Sequence, residues 1–143
     1  MAKYTAYEVQ GPRQIGNFRS PKSILSAPKQ WRLRRAGMSQ NHLQLVRQMP
    51  CVVCGIHRYI HCHHLRCGRA GKERGVSVKA TDRWAVSLCG MHHGETHRVG
   101  SRREQQWFAE NAGIADICGY AQGLWNVSGD LEAMLRVYEA HKA

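Results

Sequence analysis

At 143 residues, with 21 Lys and Arg against 10 Asp and Glu and a formal net charge of +11, the chain has room for one domain with a modest core, and its charge favours an acidic partner, nucleic acid ahead of a membrane surface. The opening MAKYTAYEVQG has no apolar core and no run approaches the roughly 18 residues of a membrane helix, which argues against a secretory signal and a membrane partner and gives a cytoplasmic location as the expectation. In that reducing compartment six cysteines point to metal or redox chemistry rather than to a disulfide framework.

Residues 1–48 carry nine Lys or Arg against one acid, Glu8, and three of the four prolines, Pro12, Pro21 and Pro28, a composition that resists a packed core. Within them, RSPKSILSAPKQWRLRRAG sets Ile24, Leu25, Trp31 and Leu33 among Arg19, Lys22, Lys29, Arg32, Arg34 and Arg35, the pattern of an arm laid along phosphates; a solvated basic tail is the plainer alternative. Residues 1–40 are read as a basic, partly extended nucleic-acid-binding arm. From Ser39, NHLQLVRQM places Leu43, Val46 and Met49 at helical spacing, with Ser39 as N-cap and Pro50 as the stop. His42 has no partner at metal spacing and reads as an ordinary polar residue.

CVVCG is a knuckle in which Gly55 frees the backbone to aim Cys51 and Cys54 at one ion. HRYIHCHHL reads as a short strand, and residues 66–82 as a glycine-rich basic loop whose Arg66, Arg69, Lys72, Arg74 and Lys79 suit a phosphate backbone, although glycines in a surface loop need no such reason. Trp84, Val86 and Leu88 then alternate with Arg83, Ala85 and Ser87, a half-buried strand that runs into Cys89-x-x-His92. In GMHHGETHRVG, His93 and His97 share one helical face while His92 points about 100° away.

Ser101 and Glu104 form a capping-box pattern for a helix with Trp107 and Phe108 inward and Gly113 at its end. IADICGYAQGLW follows as a mainly apolar helix carrying Ile114, Ile117, Tyr120, Ala121, Leu124 and Trp125, in which Cys118 is a small buried hydrophobe. GDLEAMLRVYEAHKA closes as an amphipathic helix with Leu131, Met134, Leu135 and Tyr138 inward. Residues 101–143 hold six acids against four bases, so the charge argument for nucleic acid stops there. Residues 36–40 and 126–130 are short linkers. The fold class is α+β, with residues 41–112 as the functional core and residues 113–143 as a helical layer.

Residues 51–97 gather seven of the nine histidines and five of the six cysteines. Cys51, Cys54, Cys89 and His92 supply the four soft or borderline ligands of a structural Zn2+, and a redox role for CVVC is disfavoured because no βαβ pattern surrounds it. Cys62 and Cys67 flank the histidine pair and compete for these places. His63 and His64 with His93-x-x-x-His97 suit a second, catalytic divalent cation, expected to be Mg2+ or Mn2+ with another divalent ion as the alternative, and one imidazole of the adjacent pair is left free as a base. His61 lies two residues before His63 on the same strand face and could extend that site.

Together, Cys51-x-x-Cys54, His63-His64-Leu65, Val86-Ser87-Leu88-Cys89-x-x-His92-His93 and His93-x-x-x-His97 resemble the HNH endonucleases, more narrowly their phage and prophage branch of recombination enhancement nucleases. The resemblance covers roughly residues 50–110. It implies a zinc-stapled ββα-metal (His-Me finger) core, hydrolysis of DNA phosphodiester bonds, a phage or prophage origin and hence a bacterial host cell, and a recombination protein as a further partner. It implies His64 as general base and His63, His93 and His97 as ligands of the catalytic cation. The middle Asn of the HNH pattern is missing; Asp82 stands two residues upstream of its usual place and either braces the loop that carries the base or simply ends that loop. The rival reading is a zinc-knuckle DNA-binding protein without catalysis, which explains the charge and the cysteines but leaves four histidines without a role.

Overall fold

The structure, a computed structural model, describes residues 36–73 and 79–142; the arm up to residue 35, with Arg32, Arg34 and Arg35, and the loop residue Arg74 lie outside them. Helix α1 spans Gln40–Arg47, and Ser39 starts it as expected: its backbone is extended and its hydroxyl accepts the His42 N–H at 3.2 Å. Ser39→Ala should therefore lower stability by about 1 kcal/mol, read as a lower urea midpoint at unchanged slope. His42, read as an ordinary polar residue, is instead fully buried, with Nδ1 2.8 Å from the Ser128 hydroxyl and its ring edge-on to Trp125. It ties α1 to the connection between the last two helices.

After Pro50 the knuckle closes on itself, the Gly55 N–H donating to the Cys51 carbonyl and the Cys51 N–H to that of Ile56, each at 2.9 Å. Gly55 sits at φ 75°, a left-handed conformation that glycine adopts without a side-chain clash. Strand β1, Ile60–His64, then pairs antiparallel with β2, Ala85–Cys89, in the register Ile60↔Cys89 to His64↔Ala85. A two-stranded ribbon is marginal alone and needs covering. Here α1 and the helix after β2 both pack on it, so all five β2 residues are buried and the expected wet face is absent. Ser87, on that face, satisfies its hydroxyl by donating to the Pro50 carbonyl at 2.6 Å.

The expected loop between the strands contains a short helix, α2, at Gly68–Glu73, and a 3-10 turn at Asp82–Trp84. Glycine content argues against helix here, but tertiary packing overrides propensity. Ala70 is fully buried, and a Cβ on Gly71 would lie 2.6 Å from the Arg66 carbonyl, so close approach requires this glycine.

Helix α3, Gly90–Val99, leaves β2 directly, and α4 spans Glu104–Ala112 until Gly113 adopts φ 71°. The expected capping box is not formed: Arg103 occupies the N-cap without a side-chain hydrogen bond, and Glu104 is buried. Helices α5, Ile117–Asn126, capped by Asp116, and α6, Leu131–Lys142, complete the chain. Their Ile117, Leu124 and Met134 join Leu65, Leu88 and Phe108 in one core. Among the described residues the architecture is α+β, six α-helices and one two-stranded sheet. None of these helices is long and apolar enough to cross a membrane.

Candidate metal centres

The knuckle, the end of β2 and the first turn of α3 bring together Cys51, Cys54, Cys89 and His92, whose ligand atoms all lie within 4.8 Å of one another. Cys51 Sγ is 3.6 Å and Cys89 Sγ 3.2 Å from His92 Nδ1, and the sulfurs of Cys54 and Cys89 are 3.9 Å apart. A tetrahedral zinc bonded at about 2.3 Å to sulfur and about 2.05 Å to nitrogen sets its ligands about 3.5–3.8 Å apart, so these four side chains can hold such an ion with little movement. Burial pushes the Cys51 thiol up, but backbone N–H groups of Cys54, Cys89 and Val53 and the His92 ring bring it down to about 7, towards the thiolate that zinc requires. Cys54 moves upward, through its own desolvation and the neighbouring Cys51 and Cys89 thiols.

The two competing cysteines are engaged elsewhere. Cys62 donates to the Leu43 carbonyl at 3.2 Å on the α1 side of the ribbon, where burial pushes its thiol up to about 11. Cys67, in the stretch read as a glycine-rich loop, is buried, its carbonyl accepting from the Cys118 thiol at 3.5 Å. Contact between the two thiol side chains favours the proton on Cys67 and lowers Cys118 to about 6.

The second group follows from the alternation of β1, which turns His61 and His63 towards α3 and Cys62 and His64 away. The rings of His61 and His63 each lie 5.3 Å from that of His93, and His63 lies 5.9 Å from His97. Nitrogens of His63, His93 and His97 all fall within 4.8 Å of one another. The helical spacing sets Nε2 of His93 3.3 Å from Nε2 of His97; two nitrogens at about 2.1 Å from one tetrahedral ion would be about 3.4 Å apart. His92, one residue earlier, points into the first centre, as the helical period requires.

Burial holds the His63 imidazole below the usual histidine range despite Glu104 beside it. Burial and then the neighbouring His63 and His97 bring His93 down to about 4. Neutral rings keep lone pairs available to a cation. A set of imidazoles without a carboxylate suits ions such as Zn2+, Ni2+, Cu2+ or iron better than the oxygen-preferring Mg2+ or Mn2+.

His64 stands outside this trio. Its Nε2 lies 2.8 Å from Asp82 Oδ1, while Asp82 Oδ2 accepts the Ser39 N–H at 2.8 Å. Asp82 is 3 % exposed, and its carboxylate joins the His64 ring to the Ser39 N–H; among the described residues His64 Nδ1 makes no hydrogen bond.

Glu104 and Arg66 are the residues that sequence reasoning missed or misplaced. Glu104 is fully buried, with Oε1 2.7 Å from His63 Nε2 and 3.1 Å from Arg66 Nε, and Oε2 accepting the Arg66 N–H at 2.6 Å. Burial pushes this carboxyl up, but His63 and the Arg66 N–H outweigh it and bring it down to about 2. A separation of 41 residues leaves no local signal, and Ser101-x-x-Glu104 imitates a capping box. Arg66, expected at a phosphate backbone, spends its guanidinium on Glu104 and on the Thr96 carbonyl at 2.6 Å. Arg69 pairs with Asp116 at 3.4 Å on the surface, and Lys72 and Lys79 are exposed. Arg98, Arg102 and Arg103, directly after His97, are exposed and make no ion pair among the described residues.

A family model described as protein of unknown function (DUF968) matches residues 15–118. Over 78 residues, 54 % of this chain, the sequence is 31 % identical to the uncharacterized protein YdfU of Escherichia coli (strain K12), of which the match covers 20 %, so the chain spans about a fifth of that relative's length. No solved structure matches the chain. Because the family match covers most of the chain and includes every residue of both centres, the chain belongs to the DUF968 family.

Proposed function

We propose that this protein is an HNH-type endonuclease that hydrolyses DNA phosphodiester bonds on a ββα-metal centre. The observation that carries the reading is the pair His63-His64 at the end of β1: one imidazole faces His93 and His97, and its neighbour is held by a buried carboxylate. Hydrolysis of a phosphodiester needs a positioned base for water and a cation for the developing charge, and this strand end offers both on opposite faces.

In this reading the zinc ligands fix the β2–α3 junction, and with it the direction of His93 and His97. The DNA phosphate lies across the strand end. His64 Nδ1 takes the proton of the attacking water, and Asp82 keeps the ring oriented and stabilises its charged form without taking the proton itself. His63, His93 and His97 would hold the divalent cation, which would supply charge stabilisation at the phosphate and the departing 3′-oxygen.

Arg98, Arg102 and Arg103, with Lys72 and Lys79, contact flanking phosphates, and the arm residues Arg32, Arg34 and Arg35 add affinity for DNA. Replacing Arg98, Arg102 and Arg103 together with glutamine should weaken binding across all DNA sequences and flatten the dependence of log K on log salt by about one unit per arginine, measured by fluorescence anisotropy over a salt series.

The reading is tested on plasmid DNA with zinc-loaded protein and added Mn2+, Mg2+ or Co2+, against a control without the second cation. Cutting that depends on the added ion is the expected result. DNA retarded in a gel but never cut would leave the zinc-knuckle binding protein as the better description.

A further inference from the structure

We infer that Glu104 is a positioning residue that fixes which nitrogen His63 offers to the cation, and thereby sets the affinity of the second centre; the inference rests on the reading of His63, His93 and His97 as a cation site. A neutral imidazole donates from one nitrogen and accepts through the other, and its hydrogen-bond partner decides which. The His63 ring is 2 % exposed, and Glu104 Oε1 lies 2.7 Å from its Nε2. An ionised carboxylate only accepts, so Nε2 carries the hydrogen and Nδ1 carries the lone pair.

Two further observations set Glu104 apart from a helix-capping acid. The start of α4 uses no side-chain cap, so the local role written in its sequence is empty. Its two oxygens instead serve His63 on β1 and Arg66 just beyond that strand, and Arg66 Nη2 donates to the carbonyl of Thr96, the residue before His97 on α3. One buried anion thus links the strand that carries the first ligand to the helix that carries the other two. Burying an ionised carboxylate is unfavourable unless it is paired and fully hydrogen-bonded, as it is here.

The test uses the full chain with its structural zinc retained, titrated with Co2+ by calorimetry and visible absorption, wild type against E104Q. The wild type should take up a Co2+ ion in addition to zinc, without thiolate-to-cobalt absorption. E104Q, which keeps the size but replaces one accepting oxygen with an NH2 group facing donors, should bind that ion roughly 10–100-fold more weakly at unchanged zinc content and circular dichroism. Equal affinity would overturn the inference and leave the cation site standing; failure of the wild type to bind a second ion would overturn both. If E104Q does not fold, the wild type decides: long-range 1H–15N correlations on the protein loaded with Zn2+ or Cd2+ at both centres should show His63 protonated at Nε2 and metal-bound at Nδ1. Metal on Nε2 overturns the inference.

Discussion

Cys51→Ser is expected to release the zinc and unfold the centre of the protein. Cys51 is fully buried, with its sulfur 3.6 Å from His92 Nδ1, and the site joins the knuckle to the β2–α3 junction. Besides the ligand set, the Val52 N–H donates to the Ser87 carbonyl at 3.0 Å, the Ser87 hydroxyl donates to the Pro50 carbonyl at 2.6 Å and Val52 packs in the core, all on a sheet of only two strands. A hydroxyl is a poor zinc ligand. Zinc binding at such sites contributes on the order of 10 kcal/mol or more, as large as the whole stability of a typical domain, so losing one thiolate cannot be absorbed by the rest of the core. Circular dichroism, zinc content and protease resistance should fail together, and a strong chelator should reproduce the effect in the wild type. Cys62→Ser, which keeps a donor for the Leu43 carbonyl, is the control and should retain zinc. A Cys51→Ser protein that melts cooperatively with stoichiometric zinc would show that the four-ligand assignment is wrong.

What could be read in the sequence divides along the reach of each interaction. Cys51 with Cys54, Cys89 with His92, and His93 with His97 are pairs whose geometry is set within one turn of chain, and all of them converge as their spacing requires. Ser39 and Gly113 act through their own neighbours and likewise bound the helices expected of them. The misreadings arise where a distant partner decides. Helix α2 forms because Ala70 reaches the core and Gly71 passes the Arg66 carbonyl, neither of which a glycine-rich stretch announces. The strand β2 loses its wet face because helices from both sides of it in sequence cover it. Glu104 passes for a cap because its partner lies 41 residues away. Asp82 departs from the family pattern, and the partners of its carboxylate, His64 and the Ser39 N–H, lie 18 and 43 residues away.

His64→Ala is expected to lower DNA cleavage by about 10²–10⁴-fold, the usual contribution of a positioned general base, while zinc content and Co2+ uptake at the second centre stay unchanged. The separation is possible because the His64 side chain is 18 % exposed and lies outside both ligand groups, so its removal takes away neither a ligand nor a large piece of core. Its structural cost is the bond to Asp82, which keeps the Ser39 N–H; one lost partner for a buried carboxylate is about 1–3 kcal/mol, well below what zinc contributes. His93→Ala is the contrasting variant: it should lose the second cation and cutting together. Added imidazole can enter the partly exposed gap at position 64 and should restore part of the cutting in His64→Ala without changing its Co2+ uptake. Undiminished cutting by His64→Ala would place the base on another residue, and loss of zinc from that variant would mean that the two adjacent histidines serve the fold rather than the reaction.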